Sequence, residues 1–332
     1  MKKYFFFSFF LLLGISLFVY IYKQFNLESV SLRFRFLSKE QILILFLLTF
    51  YRFWAWVVRW QLILKSMGIK KIPFRILFGA RLGEMSLSYL TPGLYYGGEL
   101  VRVWVLKKER KNIPLSQITA SIVLDRIIEI GSFGVFTLIS VFILLGRGSF
   151  FQSGFFLLLG FLPLILVYFI FQLIKSKQII KLVKFFRLEK LNSQRDLTEG
   201  FNSFQKQIVG FFKNSPRTMI KGIVLSLSTF LVGAIQIFLF INFSGEFASI
   251  FDTILIRTLN LFSELVPIPA TLGVFEGVNI LGFQLLKLNS ETGLGFTIIK
   301  RLIDFVFVVS GLLVIGYYSF QKIRQSLNKK DN

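Results

Sequence analysis

The chain contains 332 residues, of which 54% are hydrophobic, and its mean hydropathy is +0.68. The apolar residues come in long runs, which is typical of a membrane protein and excludes an ordinary soluble domain. The sequence has no cysteine and no histidine, so disulfides, thiolate nucleophiles and the commonest general base are excluded. The net charge of +22 lies mainly between the apolar runs, so it indicates membrane topology, and we expect no nucleic-acid partner.

Six apolar runs are long enough to cross a bilayer, which takes about 20 residues. We predict a transmembrane helix in each run and therefore an all-α integral membrane protein. We expect the first run to be a retained anchor, because no small-residue cleavage site follows it. The runs are 4–22, 41–60, 119–145, 151–174, 220–242 and 296–319.

Two further apolar stretches, 76–106 and 250–288, are broken by proline and glycine. Such breaks free backbone groups, which are tolerated in a membrane only where protein or a water-filled cavity covers them. We predict that each stretch is a re-entrant helix pair, with a kinked spanning helix as the alternative. The breaking residues are Pro92, Gly93, Gly97 and Gly98 in the first stretch, and Pro267, Pro269 and Gly273 in the second.

The distribution of charge predicts the orientation of the chain. The segment 175–219 is rich in lysine and arginine, whereas the loop near 243–252 carries Glu246 and Asp252 and no basic residue. We therefore predict a multi-pass protein of the cytoplasmic (inner) membrane with both termini in the cytoplasm, although the basic loop 23–40 fits poorly. We expect segment 175–219 to form amphipathic helices that lie on anionic headgroups.

The two broken stretches resemble each other, which predicts an inverted repeat within one membrane domain, 1–332. In each stretch a glutamate follows a proline by seven residues, and an Arg-x-x-acid motif follows in a long apolar helix. Inverted repeats with discontinuous helices are typical of secondary transporters. The predicted parts are N-terminal helices (4–60), a first half (76–145), a connecting helix (151–174), a basic cytoplasmic loop (175–219) and a second half (220–319).

Charged residues lie in or beside these apolar regions, where each is disfavoured by about 2.5–3.5 kcal/mol. We predict that three arginines hold the phosphate of an anionic headgroup, because the guanidinium fork binds phosphate oxygens in pairs. Four acids would pair with them or take up protons, whereas the alternative is that the charges only pair and lock helices. The predicted site residues are Arg102, Arg126 and Arg301 with Glu99, Glu129, Glu276 and Asp304; Asp125, Glu264 and Lys300 lie nearby.

Several motifs follow one another along the chain: Arg59-Trp60, Pro92-Gly93, Gly98-Glu99-Leu100-Val101-Arg102, the acid-Arg-x-x-acid segment Asp125 to Glu129, Pro267-Ile268-Pro269, Leu272-Gly273-Val274-x-Glu276 and Arg301. In this order they resemble the lysylphosphatidylglycerol synthase transmembrane (flippase-like) family over roughly 40–320. Two departures are Ala270-Thr271, where the family usually has a glycine pair, and Asp125, where glutamate is commoner.

The resemblance implies that the protein moves a lipid between leaflets, with an anionic phospholipid, an aminoacylated one or a polyprenyl phosphate as partner. About a dozen residues follow the last apolar run, so we expect no soluble aminoacyl transferase domain, no enzymatic activity and no cofactor. An intramembrane lipid-modifying enzyme and a non-transporting partner in a lipid or glycan pathway remain as alternatives. The lipid, the energy source and the oligomeric state are left open.

Overall fold

The fold is all-α in the part of the chain that the structure, a computed structural model, describes: residues 2–24, 37–69, 72–91, 97–148, 150–175 and 194–327. These residues form eleven α-helices and one short 3-10 helix, Pro269–Thr271. The helices are α1 (Lys2–Gln24), α2 (Lys39–Ser66), α3 (Phe74–Leu90), α4 (Glu99–Glu109), α5 (Leu115–Gly146), α6 (Phe150–Lys175), α7 (Gln194–Asn214), α8 (Pro216–Phe243), α9 (Ile250–Ser263), α10 (Val274–Leu285) and α11 (Ser290–Leu327).

Each of the six predicted apolar runs lies within one helix, namely α1, α2, α5, α6, α8 and α11. Within the described residues, α2, α5 and α8 are long and apolar enough to cross a membrane. A continuous apolar run becomes a helix because a helix satisfies its own backbone hydrogen bonds where water is absent. The all-α membrane class is therefore supported, and the number of six spans stays a prediction.

Both broken stretches are interrupted where the sequence predicts. In the first stretch, Gly97 and Gly98 directly precede α4, while Pro92 and Gly93 lie outside the described residues. In the second stretch, α9 and α10 are joined by a connection that contains Pro267, the 3-10 helix and Gly273. Re-entrance of these helix pairs, and their relation by an inverted repeat, stay predictions.

The described helices divide into two compact units. Unit 1 comprises 1–53, 75–105 and 231–332, and unit 2 comprises 54–74 and 106–230. Nearly all of the first broken stretch therefore belongs to the same unit as the second, so the compact units do not coincide with the predicted repeat halves.

The helices of unit 1 approach one another through small residues. A Cβ at Gly311 of α11 would lie 2.2 Å from the carbonyl oxygen of Leu82 on α3. Next to this point, the Ser86 hydroxyl donates to the carbonyl oxygen of Val308 at 2.7 Å. Small residues allow helices in a membrane to pack by close van der Waals contact, since burial of apolar surface drives little association in lipid.

Unit 2 shows a difference from the expected arrangement of segment 175–219. The amphipathic helix α7 buries Ile208 and Phe211 against Leu124 and Ile63, so its apolar face is covered by protein. The expectation that this face lies on headgroups is therefore corrected for α7, because neighbouring helices already bury it. Residues 176–193 lie outside the described part of the chain.

The connection between α9 and α10 contains a left-handed turn. Ala270 has φ 52° and Thr271 has φ 49°, and Gly273 follows with φ 76°. The left-handed region is disfavoured by about 1–2 kcal/mol for a residue with a Cβ, and glycine enters it freely. The turn thus places two residues that have a Cβ, Ala270 and Thr271, in a conformation where glycine would be unstrained.

Replacing Ala270 by glycine is expected to stabilise the protein by about 1 kcal/mol, because the strain of the left-handed conformation is removed. The same change at Ala234, which is buried within α8, is expected to destabilise by about 1 kcal/mol or more, since glycine weakens a helix interior. Thermal unfolding in detergent, followed by circular dichroism, measures both variants. A lower midpoint for Ala270→Gly would contradict the proposed strain.

Gly311→Ala is expected to destabilise unit 1 by about 1–3 kcal/mol, because the new methyl group meets the backbone of α3. Gly316 lies on the same helix and a Cβ there would meet nothing within 4 Å, so Gly316→Ala is the matched control. Thermal unfolding of the two variants side by side tests the close approach of α3 and α11. Equal midpoints for both variants would show that the two helices do not pack this closely.

Candidate functional site

An open cavity lies in unit 1, with about 390 Å³ of empty space, including solvent at its mouth. Helices α2, α3, α9, α10 and α11 contribute its walls, together with the connection between α9 and α10. Four basic and two acidic side chains face it, which makes it a charged cavity in a predominantly apolar protein. The lining residues are Arg52, Tyr89, Arg257, Glu264, Thr271, Phe275, Lys300, Arg301 and Asp304.

Arg301 is held in the cavity wall through all three of its guanidinium nitrogens. Its Nε donates to Glu276 Oε1 at 2.5 Å, and one terminal nitrogen donates to the Tyr89 hydroxyl and the Ala270 carbonyl, both at 3.0 Å. The other terminal nitrogen lies 3.5 Å from the Thr271 carbonyl oxygen. The left-handed turn therefore supplies two carbonyls to this arginine, which gives its backbone strain a role in the site.

Glu276 lies behind Arg301 and is completely buried in the first turn of α10. The helix N-terminus favours a negative charge, and Arg301 supplies the opposite charge that a buried carboxylate requires. The Phe275 ring adds a cation–π contact, with its centroid 5.9 Å from the Arg301 guanidinium carbon. Arg301 and Glu276 are thus a matched pair at the break.

Two more cations of the cavity have defined partners. The Lys300 ammonium pairs with Asp304 one helical turn along α11. One terminal nitrogen of Arg52 donates to Gln236 Oε1 at 3.0 Å, and the amide of Gln236 donates to the Thr49 hydroxyl at 2.7 Å. These contacts orient both side chains before any ligand binds.

Arg257 has a looser partner than the other cations. A terminal nitrogen of Arg257 lies 3.4 Å from Glu264 Oε1, and this carboxylate side chain is 39% exposed. The Arg257 side chain itself is 6% exposed, and its Nε is buried with no hydrogen-bond partner among the described residues. This guanidinium is therefore held less firmly than that of Arg301.

A second ionic cluster lies in unit 2. The fully buried Arg59 donates to Asp125 at 2.6 Å, to the Ser226 hydroxyl at 2.8 Å and to Glu129 at 3.1 Å. Glu129 also accepts from Arg126 at 2.8 Å, as the spacing of three residues predicts. The charges of the two arginines and the two acids balance. This cluster therefore fits the alternative that the charges only pair and lock helices better than it fits an anion site.

A third cluster surrounds Glu84 in unit 1. Glu84 pairs with Arg81 and with Arg102, each at 2.9 Å, and Arg102 is completely buried. Arg102 is not among the residues that line the cavity described above. Glu99, another predicted site residue, lies half-buried in the first turn of α4.

The break before α4 also depends on glycine. A Cβ at Gly98 would lie 2.0 Å from the carbonyl oxygen of Glu84, and the Gly98 amide donates to the Ser88 hydroxyl at 3.0 Å. A Cβ at Gly97 would lie 2.8 Å from the Thr91 hydroxyl. Glycine is required at Gly98 because backbone approaches backbone there.

Part of the predicted set meets at this cavity, and its role in binding stays a prediction. Arg301 and Asp304 line the cavity and Glu276 pairs with Arg301, whereas Arg52, Arg257 and Tyr89 line it without having been predicted. Arg52 and Arg257 carry a signal, since each is an arginine flanked by apolar residues within a helix. A search for Arg-x-x-acid motifs passes over both of them. Within the described residues no group of acids could hold a metal ion.

Comparison with known proteins places most of this chain in one family. Residues 6–311 match the family described as the lysylphosphatidylglycerol synthase TM region. The chain is 25% identical over 282 residues to a UPF0104 membrane protein of Pyrococcus horikoshii, which covers 78% of this chain and 82% of the relative. It is 22% identical over 288 residues to a UPF0104 membrane protein of Methanothermobacter thermautotrophicus, which covers 82% and 83% respectively. This chain therefore belongs to the family of the lysylphosphatidylglycerol synthase transmembrane region.

Proposed function

We propose that this protein moves an anionic or phosphate-bearing lipid between the two leaflets of its membrane. The observation that carries the proposal is the charged cavity of unit 1, whose walls come from both broken stretches and from α11. Ionisable residues inside membrane proteins are energetically disfavoured and typically mark substrate pathways. A headgroup would occupy the cavity while its acyl chains stay in lipid.

The charge of the cavity suits a singly charged phosphate group. Four basic and two acidic residues line it, and the Glu276 carboxylate is bound directly behind Arg301. One positive charge therefore remains in excess, which is the charge that neutralises one phosphodiester. Neutralisation lowers the desolvation penalty of bringing the headgroup out of water, and a small excess still permits its release.

The proposal also specifies how the helix pairs lie in the membrane and that the protein catalyses no covalent reaction. Two re-entrant helix pairs related by inversion would open the cavity to opposite sides of the cytoplasmic membrane. No step of covalent chemistry is required for such movement, so we propose that this chain acts as a translocase and not as an enzyme. The basic segment 175–219 supports the cytoplasmic location of that segment and of both termini.

One prediction of this proposal concerns leaflet exchange by the full chain in liposomes. Dithionite quenching of fluorescent phosphatidylglycerol is expected to show protein-dependent exchange, with slower exchange of phosphatidylcholine and of an uncharged glycolipid. Arg301→Ala is expected to lower the rate by about tenfold or more, because the cavity loses its one excess positive charge and the wall that Arg301 holds together. Arg217→Ala, which removes an exposed arginine at the start of α8, should leave the rate unchanged.

The leaflet-exchange assay tests each part of the proposal separately. If the folded wild-type protein moves none of the three lipids, lipid translocation in this form is wrong. If folded Arg301→Ala moves phosphatidylglycerol at the wild-type rate, the cavity is not the route. Chromatography of the recovered lipids tests the enzymatic alternative, because a modified headgroup would indicate turnover.

Another prediction concerns the orientation of the chain in the membrane, and its test uses the absence of native cysteine. A cysteine at Phe247, which is 85% exposed in the loop after α8, is expected to react with an impermeant maleimide on intact cells. A cysteine at Lys213 near the end of α7 should react only after permeabilisation. Because the chain supplies no background thiol, each signal reports one position. Reaction of Lys213→Cys on intact cells would show that the proposed orientation is wrong.

A further inference from the structure

We infer that Arg257 is the residue that takes the phosphate oxyanion in the cavity, and that Glu264 occupies its place when no ligand is bound. This inference rests on the proposed function, because it names the ligand chemistry and the anchor of the same cavity. The ligand group is a phosphate ester oxyanion, whether it belongs to a lipid headgroup or to a free phosphate ester.

The first step is that three of the four cavity cations are already engaged by the protein. Arg301 uses all three guanidinium nitrogens on Glu276, Tyr89 and the backbone of the left-handed turn. Lys300 is paired with Asp304, and Arg52 is bonded to Gln236. A ligand that binds these groups must first displace good partners.

The second step is that Arg257 has binding capacity to spare. Its contact with Glu264 at 3.4 Å is longer than the usual 2.7–2.9 Å or so of a charge-assisted hydrogen bond. Its Nε is buried without a hydrogen-bond partner among the described residues, although it belongs to a side chain that lines the cavity. An unsatisfied buried donor on a cation is unfavourable, so an oxyanion that reaches it gains both charge and hydrogen bond.

The third step is the position of Glu264. It directly follows α9 and lines the cavity with a side chain that is 39% exposed, so an arriving anion displaces it from Arg257 at little loss. A weakly held, partly exposed carboxylate beside a buried guanidinium therefore behaves as a competitor for the same nitrogen. Its removal should strengthen anion binding.

The fourth step is the space that the sequence leaves for this guanidinium. Gly233 on α8 faces Arg257, and a Cβ at this position would lie 2.6 Å from its Nε and 2.9 Å from its Cδ. A methyl group there would displace the side chain without changing any charge. Because the atoms it meets belong to a flexible side chain, Arg257 can shift while the helices keep their places.

The test measures binding to the full chain in detergent micelles by isothermal titration calorimetry. The probes are dihexanoyl phosphatidylglycerol, glycerol 3-phosphate and inorganic phosphate. Arg257→Gln is expected to weaken binding by about tenfold or more, and Gly233→Ala to weaken it by a smaller factor. Glu264→Gln is expected to tighten binding, which a misfolded protein would not do.

Two matched controls accompany these variants. Arg217→Gln removes an exposed arginine, and Gly316→Ala adds a methyl group where nothing lies within 4 Å. Both should bind the probes as the wild type does. Tighter binding of the lipid than of glycerol 3-phosphate assigns the site to a headgroup, whereas equal binding assigns it to free phosphate esters.

Three results would overturn the inference: a wild-type protein that binds none of the probes, a folded Arg257→Gln variant with wild-type affinity, or a Glu264→Gln variant with weaker binding. Its failure is distinguishable from failure of the proposed function. A wild type that binds lipid through Arg257 but moves none in liposomes contradicts translocation alone. Wild-type exchange by folded Arg257→Gln contradicts the anchor alone.

Discussion

The ion pair between Arg301 and Glu276 is the interaction on which the cavity depends. Glu276 is completely buried, so its charge is tolerated only because Arg301 lies 2.5 Å away. The same guanidinium binds the carbonyls of Ala270 and Thr271 and so holds the left-handed turn against α11. Loss of one partner would leave a buried charge, which typically destabilises by about 3–5 kcal/mol. One pair therefore joins the break, the following helix and the cavity wall.

The three ionic clusters in the described residues all pair basic side chains with carboxylates, but they differ in how completely the charges are paired. The cluster around Arg59 contains equal numbers of arginines and acids, and the one around Glu84 is buried away from the cavity lining. Both fasten helices to one another, since a paired charge in a membrane protein resists separation. The cavity of unit 1 differs because it is open and contains Arg257 with a loosely held partner. An anion can be bound there without breaking a structural pair.

The sequence by itself determined the all-α class, the helices of the six apolar runs, the places where the two further stretches break, and the family. Apolar runs and proline or glycine breaks act locally, through the need of backbone groups for hydrogen bonds in lipid, so they can be read directly. The order of motifs around Glu276 and Arg301 led to the family that residues 6–311 match. Ala270 and Thr271 stand where the family usually has a glycine pair, and their backbone lies in the left-handed region that glycine enters without strain.

Only the tertiary structure decided which charges meet. Spacing predicts the contact of Arg126 with Glu129, because both lie on one helical face, but it does not predict that the Arg301 Nε binds Glu276 across the break. The tertiary structure also decided that Arg52 and Arg257 face the same cavity as Arg301. The physical reason is that these partners are far apart in sequence. Which of them meet depends on the rotation of each helix about its axis and on the angle between helices at a break. These angles follow from packing of small residues such as Gly311 against a neighbouring backbone, which no local pattern records.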